Sequence, residues 1–342
     1  MPGEDAAAYA EATRLVLGEL PDFPHLPELP GRGPTANMTG RTLAIVAELG
    51  ADLQPAGWRL TDAAGADQRR ARSLLAQDLD AVAEQTQDYA GRFKIQVTGP
   101  WTLAATVERP RGDRVLADHG ARRELAQALA EGIKDHVADV RRRLPNADIV
   151  VQVDEPSLPA VMAGQIPTAS GFSRHRSVDA AKASPALEWV FSAIREAGAT
   201  SVAHCCAVGA PISLLTGAGA EGISVDLSVL EPSMYDGLAD IIDRGRPVFL
   251  GVVPSTEPST EPSAQSSTEP SAQSSSGPSD RPLTDKVLTE TVLRLLDMLG
   301  FDPESAGEHL VITPSCGLAG ATASWTRRAL QLSRQVAANL TP

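Results

Sequence analysis

The runs DIVVQVDEP (residues 148–156) and SVAHCC (201–206) decide the fold. Each is a short apolar stretch that ends abruptly in polar chemistry, Asp154-Glu155-Pro156 in one and His204-Cys205-Cys206 in the other. A strand apolar along its centre is covered on both faces, as in a parallel sheet with helical crossovers. Four further runs share the design: FKIQVTGP (93–100), GISVDLS (222–228), PVFLGVV (247–253) and HLVITPSCGL (309–318). LQPAGWRL (53–60) is a weaker candidate. Between the strands lie helix-length segments at 67–90, 117–143 and 185–197. The first places Leu74, Leu75, Leu79, Val82 and Ala83 at helical spacing. Gly99-Pro100, Asp154, His204, Asp226 and Cys316 all fall at strand C-terminal ends, so several strands deliver chemistry to one face. That pattern predicts an α/β fold of the (β/α)8 TIM-barrel type rather than a doubly wound sheet, with residues 1–342 forming one domain.

Two segments depart from the alternation. Residues 254–282, built on a Ser-Thr-Glu-Pro-Ser repeat, contain almost no apolar side chains and are expected to form a disordered loop insertion. At the other end, Met1-Pro2-Gly3 runs straight into the helical stretch AAAYAEATRLVLGEL (6–20). Only seven strands can be counted, so the expectation is a barrel that lacks its first strand. Its gap would lie between the strand near 53–58 and the strand at 309–315.

The bulk numbers exclude several functions. Thirty basic against 43 acidic residues leave a formal charge of −13, which repels a phosphate backbone and argues against nucleic acid as a partner. No apolar run is long enough to cross a bilayer, and no secretion signal opens the chain. The three cysteines, two of them adjacent, suit a reducing compartment rather than a disulfide framework. A cytoplasmic location is expected.

His204 and Cys206 stand at i and i+2 at a strand end and therefore face the same side, whereas Cys205 points the other way into the core. Cys316 ends another strand and is followed by Gly317. One imidazole with two thiolates is a borderline-soft donor set that favours zinc over magnesium or calcium.

At these residues the sequence resembles the C-terminal barrel of cobalamin-independent methionine synthase. The resemblance rests on VQVDEPSL (151–158), AHCC (203–206), GISVDLS (222–228) and TPSCGL (313–318), in that order along most of the chain, with VTGPWTL (97–103) a softer match. It implies a zinc held by His204, Cys206 and Cys316, with Asp226 at the position of a family glutamate as the fourth ligand. It also implies that Asp154 binds the amino group of a homocysteine-like thiol, which the zinc activates for S-methylation. Some family positions differ. An aromatic residue that lines the folate site falls on Thr106, a catalytic histidine falls within Val253-Pro254-Ser255-Thr256, and a second glutamate that holds the amino acid falls near Arg32. With folate recognition eroded, a methyl-corrinoid protein becomes an expected donor. The alternatives are a non-catalytic zinc-binding relative and a metal-free barrel enzyme resembling uroporphyrinogen decarboxylase.

Overall fold

The computed structural model describes residues 6–258 and 283–340, and its first two strands stand outside the main sheet. β1 (Gly50–Gln54) and β2 (Gly57–Thr61) pair antiparallel, with Gln54 opposite Gly57. Pro55 presets the turn and Gly57, at φ 122°, takes the left-handed conformation that closes it. The weaker strand candidate at 53–60 is therefore a hairpin and not a barrel stave.

The main sheet holds six parallel strands in sequence order: β3 (Gly91–Thr98), β4 (Ala147–Asp154), β5 (Thr200–Cys205), β6 (Gly222–Asp226), β7 (Val248–Val253) and β8 (Leu310–Pro314). All six were legible as apolar runs.

Helices cover the outside. Before the sheet come α1 (Ala6–Glu19), α2 (Met38–Ile45) and α3 (Ala66–Gln85). Between β3 and β5 lie α4 (Pro100–Thr106), α5 (His119–Arg143), α6 (Leu158–Met162) and α7 (Ala180–Glu196). The remainder are α8 (Ile212–Gly217), α9 (Tyr235–Asp243), α10 (Asp285–Leu299), α11 (Pro303–Gly307) and α12 (Ala323–Leu340). Helix α7 starts five residues before the expected 185, because Asp179 caps it by accepting the Lys182 N–H at 3.0 Å. Pro185 is thereby left inside the helix.

Along β3 the residues Phe93, Ile95 and Val97 are buried against helices, while Lys94, Gln96 and Thr98 alternate onto the concave face. Inward-facing Val150, Val202 and Phe249 form a separate small core with Phe23 and Val311, and the Phe23 and Phe249 rings lie 5.9 Å apart. Strands that are not neighbours thus share contacts, so the sheet curls into an arc.

On the free edge of β3, Lys94 donates its N–H to the Pro24 carbonyl at 3.0 Å and accepts from Leu26 N–H at 2.8 Å. This single parallel bridge at His25 adds a short seventh element. It escaped sequence reading because Pro21, Pro24, Pro27 and Pro30 punctuate the stretch. Among the described residues β8 pairs only with β7. The architecture is a six-stranded, partial TIM-like barrel, and eight-strand closure is not seen among the described residues. The open edges are those of Pro24–Leu26 and β8, which corrects the expected gap beside 53–58. Helix α1 contacts both α3 and α12, its Leu15 and Val16 packing with Leu330. Met1-Pro2-Gly3 and residues 259–282 of the expected insertion lie outside the described residues.

Candidate metal centre and its surroundings

His204 closes the inward row of β5, and Cys206 follows immediately after the strand. Cys316 comes from the turn after β8, three strands away in the sheet. On a flat sheet that separation would be about 14 Å, at the usual 4.8 Å strand spacing. Here the ligand atoms of His204, Cys206 and Cys316 all lie within 4.8 Å of one another, and the two sulfurs are 3.4 Å apart. Curvature brings them together, helped by Gly251 of β7. A Cβ there would sit 2.6 Å from the Ser315 Cα, so only glycine lets the turn carrying Cys316 cross so closely. Ser315 N–H donates to the Val253 carbonyl at 2.8 Å and fixes that crossing.

The register explains the support around the histidine. His204 stands opposite Ser224 on β6, and its Nδ1 meets the Ser224 hydroxyl at 2.9 Å, which orients the ring. Burial works against protonation of this imidazole. The hydrogen bond to Cys316 and the negative charges of Asp154 and Cys316 outweigh it and push the pKa up. Within the sulfur pair the negative charge rests on Cys316, whose thiolate is held by the Cys206 S–H and by His204, so its pKa falls while that of Cys206 rises. Cys205 is buried in the main core, and burial lifts its thiol to about 11.

The expected fourth ligand, Asp226, does not join this group. Its Oδ1 accepts the Ser228 N–H at 2.8 Å and the Ser228 hydroxyl at 2.7 Å, capping a short 3-10 turn at 227–229. The one missing methylene keeps this carboxylate at its own strand end.

Asp154 stands opposite His204 on β4, half-buried, with Oδ1 accepting from Gln152 at 2.7 Å. Burial raises its pKa, against the opposing pull of His204, Gln152 and Lys94. Its neighbour Glu155 faces away and is structural. It accepts the backbone N–H groups of Trp101 and Thr102 at 2.8 Å each and the Thr102 hydroxyl at 2.7 Å, and burial lifts it to about 7.

Arg32, which falls near the position of the missing family glutamate, binds Asp78 at 2.8 and 2.6 Å. Glu28, missed in the sequence, occupies the interior instead. Burial pushes its pKa up, and the charges of Arg41 and Lys94 and an amide contact from Gln96 oppose that shift. The signal for it was its place three residues beyond the β3 bridge at His25, at a strand end hidden by prolines. Thr106 ends helix α4, not a strand, with its hydroxyl returned to the Thr102 carbonyl at 2.8 Å.

Soft donors gathered at the C-terminal mouth of a curled parallel sheet could hold a metal ion, at the end of the sheet where TIM-like enzymes carry their chemistry. The description of the cobalamin-independent synthase catalytic domain matches residues 66–339, and the chain belongs to that family of methyltransferases. A B12-independent methionine synthase from Shewanella sp. W3-18-1, solved in complex with selenomethionine, has a similar fold. Its TM-score is 0.58 at 15% identity, over 98% of this chain and 88% of that one. Among curated proteins no sequence matches. The expectation of a methyl-corrinoid partner is not supported, because the family acts without cobalamin. No helix among the described residues is long and apolar enough to cross a membrane.

Proposed function

We propose that this protein transfers a methyl group to the thiol of an α-amino acid of the homocysteine kind, with zinc held by His204, Cys206 and Cys316. One observation carries the reading: the three soft donors converge within 4.8 Å, and a carboxylate, Asp154, stands directly opposite His204 on the next strand. The donor set fits the metal. Imidazole plus two sulfurs is a zinc set, and three protein ligands with a free position is the arrangement of catalytic rather than structural sites. Zinc there would depress the pKa of an incoming thiol, near 8.5 when free, and leave its sulfur nucleophilic.

The chain's own residues do the rest. Ser224 keeps the His204 ring turned toward the sulfurs, and Asp154 and Glu28 offer negative charge to the substrate ammonium. The substrate sulfur attacks the methyl carbon of the donor. Its S–C bond forms as the bond to the donor nitrogen breaks, and that nitrogen keeps the electron pair and takes up a proton, balancing the one the thiol gave up, so no protein nucleophile is required. The family points to a methyl-folate donor of the 5-methyltetrahydropteroyltriglutamate kind.

The test is elemental analysis paired with a methylation assay on three proteins. The wild type should carry about one zinc and methylate homocysteine. Cys316→Ser should lose most of both, and Cys205→Ser, altered only in the core, should keep both. Equal zinc retention in the two variants would refute the ligand set. A zinc-loaded wild type inert toward homocysteine with the folate donor would refute the reaction.

A further inference from the structure

The concave face of a TIM-type sheet is ordinarily filled by branched apolar side chains, yet β3 presents Lys94, Gln96 and Thr98 in succession. Two of them are incompletely satisfied: Gln96 Oε1 and Thr98 Oγ1 are buried with no hydrogen-bond partner. Lys94 makes no ion pair within 4.0 Å among the described residues. The charges acting on its ammonium are Asp154 and Glu28, and it acts in turn on His204. Lys94 stands on the inward row of β3, and Thr98 of the same row lies opposite Asp154 on the adjacent β4.

A half-buried ammonium without a direct partner is available to a ligand anion. Glu28 already has a cation, the Arg41 guanidinium at 3.3 Å. Asp154 has only the neutral Gln152 amide in contact. What remains is one carboxylate and one ammonium on the inward rows of adjacent strands, both half-buried and not paired with each other. That is the complement of a zwitterion, whose own ammonium and carboxylate sit on one carbon.

We propose that Lys94 is a specificity-determining residue that binds the α-carboxylate of the acceptor amino acid while Asp154 takes its ammonium. This inference rests on the homocysteine-type function proposed above and adds to it a reason for rejecting simple thiols. The unpartnered Gln96 and Thr98 oxygens supply further acceptors for the substrate N–H groups along the same row.

The experiment uses the zinc-loaded protein and the variants Lys94→Met and Lys94→Arg. The Met variant keeps the length of the side chain without the charge. Binding of methionine and of its des-carboxy analogue, 3-(methylthio)propylamine, is measured by calorimetry. Methylation is measured with homocysteine and with 3-aminopropane-1-thiol. The wild type should prefer the carboxylated ligand in both assays. Lys94→Met should weaken methionine about ten- to hundredfold, as expected for loss of a charged hydrogen bond, and raise KM for homocysteine by a similar factor with little change in kcat. It should leave the des-carboxy ligands unchanged, and Lys94→Arg should restore part of the preference. Equal effects on both ligand classes, or no effect on either, would overturn the role of Lys94. A protein that methylates nothing yet still binds methionine in a Lys94-dependent way would refute the proposed reaction while leaving this inference standing. Normal methylation with no Lys94-dependent preference would do the reverse.

Discussion

Asp78 offers a quantitative test of the packing behind the site. It lies on the buried face of helix α3 and binds two guanidinium groups at once, Arg32 at 2.8 and 2.6 Å and Arg41 at 2.6 Å. Side-chain exposure is 5% for each arginine and 2% for the aspartate, so solvent screens little of the interaction. Asp78→Asn keeps the shape and leaves two buried cations facing a neutral amide. Breaking a buried pair by removing one partner costs about 3–5 kcal/mol. For 342 residues the unfolding entropy is roughly 0.7 kcal/mol per degree, so Tm should fall by about 4–7 °C. The control lies two residues further along the same helix. Asp80 pairs with Arg143 at 2.8 Å but is 67% exposed, and Asp80→Asn should cost under about 1 kcal/mol. Differential scanning calorimetry of both variants at neutral pH makes the comparison. Equal Tm shifts would refute the reasoning. Since Arg41 also reaches Glu28, Asp78→Asn should in addition alter the KM for the amino acid.

Two further outcomes follow from the site and the core. Ser224→Ala removes the hydroxyl that fixes His204 and should weaken zinc roughly 10- to 100-fold, as read by chelator competition, with the fold unchanged by circular dichroism; unchanged affinity would show that the ring is oriented without it. His136 is held near 4 by burial and by the charge of Arg41, whereas the unfolded chain protonates it near 6.5. The unfolded state therefore binds more protons between those values, and stability present above pH 6.5 is lost as pH falls toward 4, by up to about 1.4 kcal/mol per unit. Urea midpoints at pH 7 and 5.5 should differ in the wild type and converge in His136→Gln.

What the sequence made legible were features with a local signature. The six sheet strands announced themselves because each has an apolar centre and most stop at polar residues. His204, Cys206 and Cys316 could be grouped because i, i+2 spacing and strand ends constrain direction. What escaped depends on geometry across the chain. Glu28 was invisible as an interior residue because the segment that pairs with β3 makes a single bridge among prolines. The hairpin of β1 and β2 shows the same apolar alternation as a stave, and only the tight turn at Pro55 to Gly57 tells them apart. Asp226 could be placed at a strand end, and only the family resemblance made it a ligand, but whether its side chain reaches the His/Cys/Cys group depends on one methylene and on Ser228, which competes for its oxygen.

The centre also ties distant parts of the chain together. Cys206 and Cys316 are 110 positions apart, so a metal shared between them would close a long ring that contains the whole of residues 254–282. Closure entropy grows only with the logarithm of ring size. Lengthening the ring by those 29 positions would cost only about 0.3 kcal/mol. A span inside so large a ring is among the least expensive places in the molecule to lengthen. For the same reason, stripping the metal would be felt most by β8 and the helices around it, because these are the parts that the tie anchors to β5.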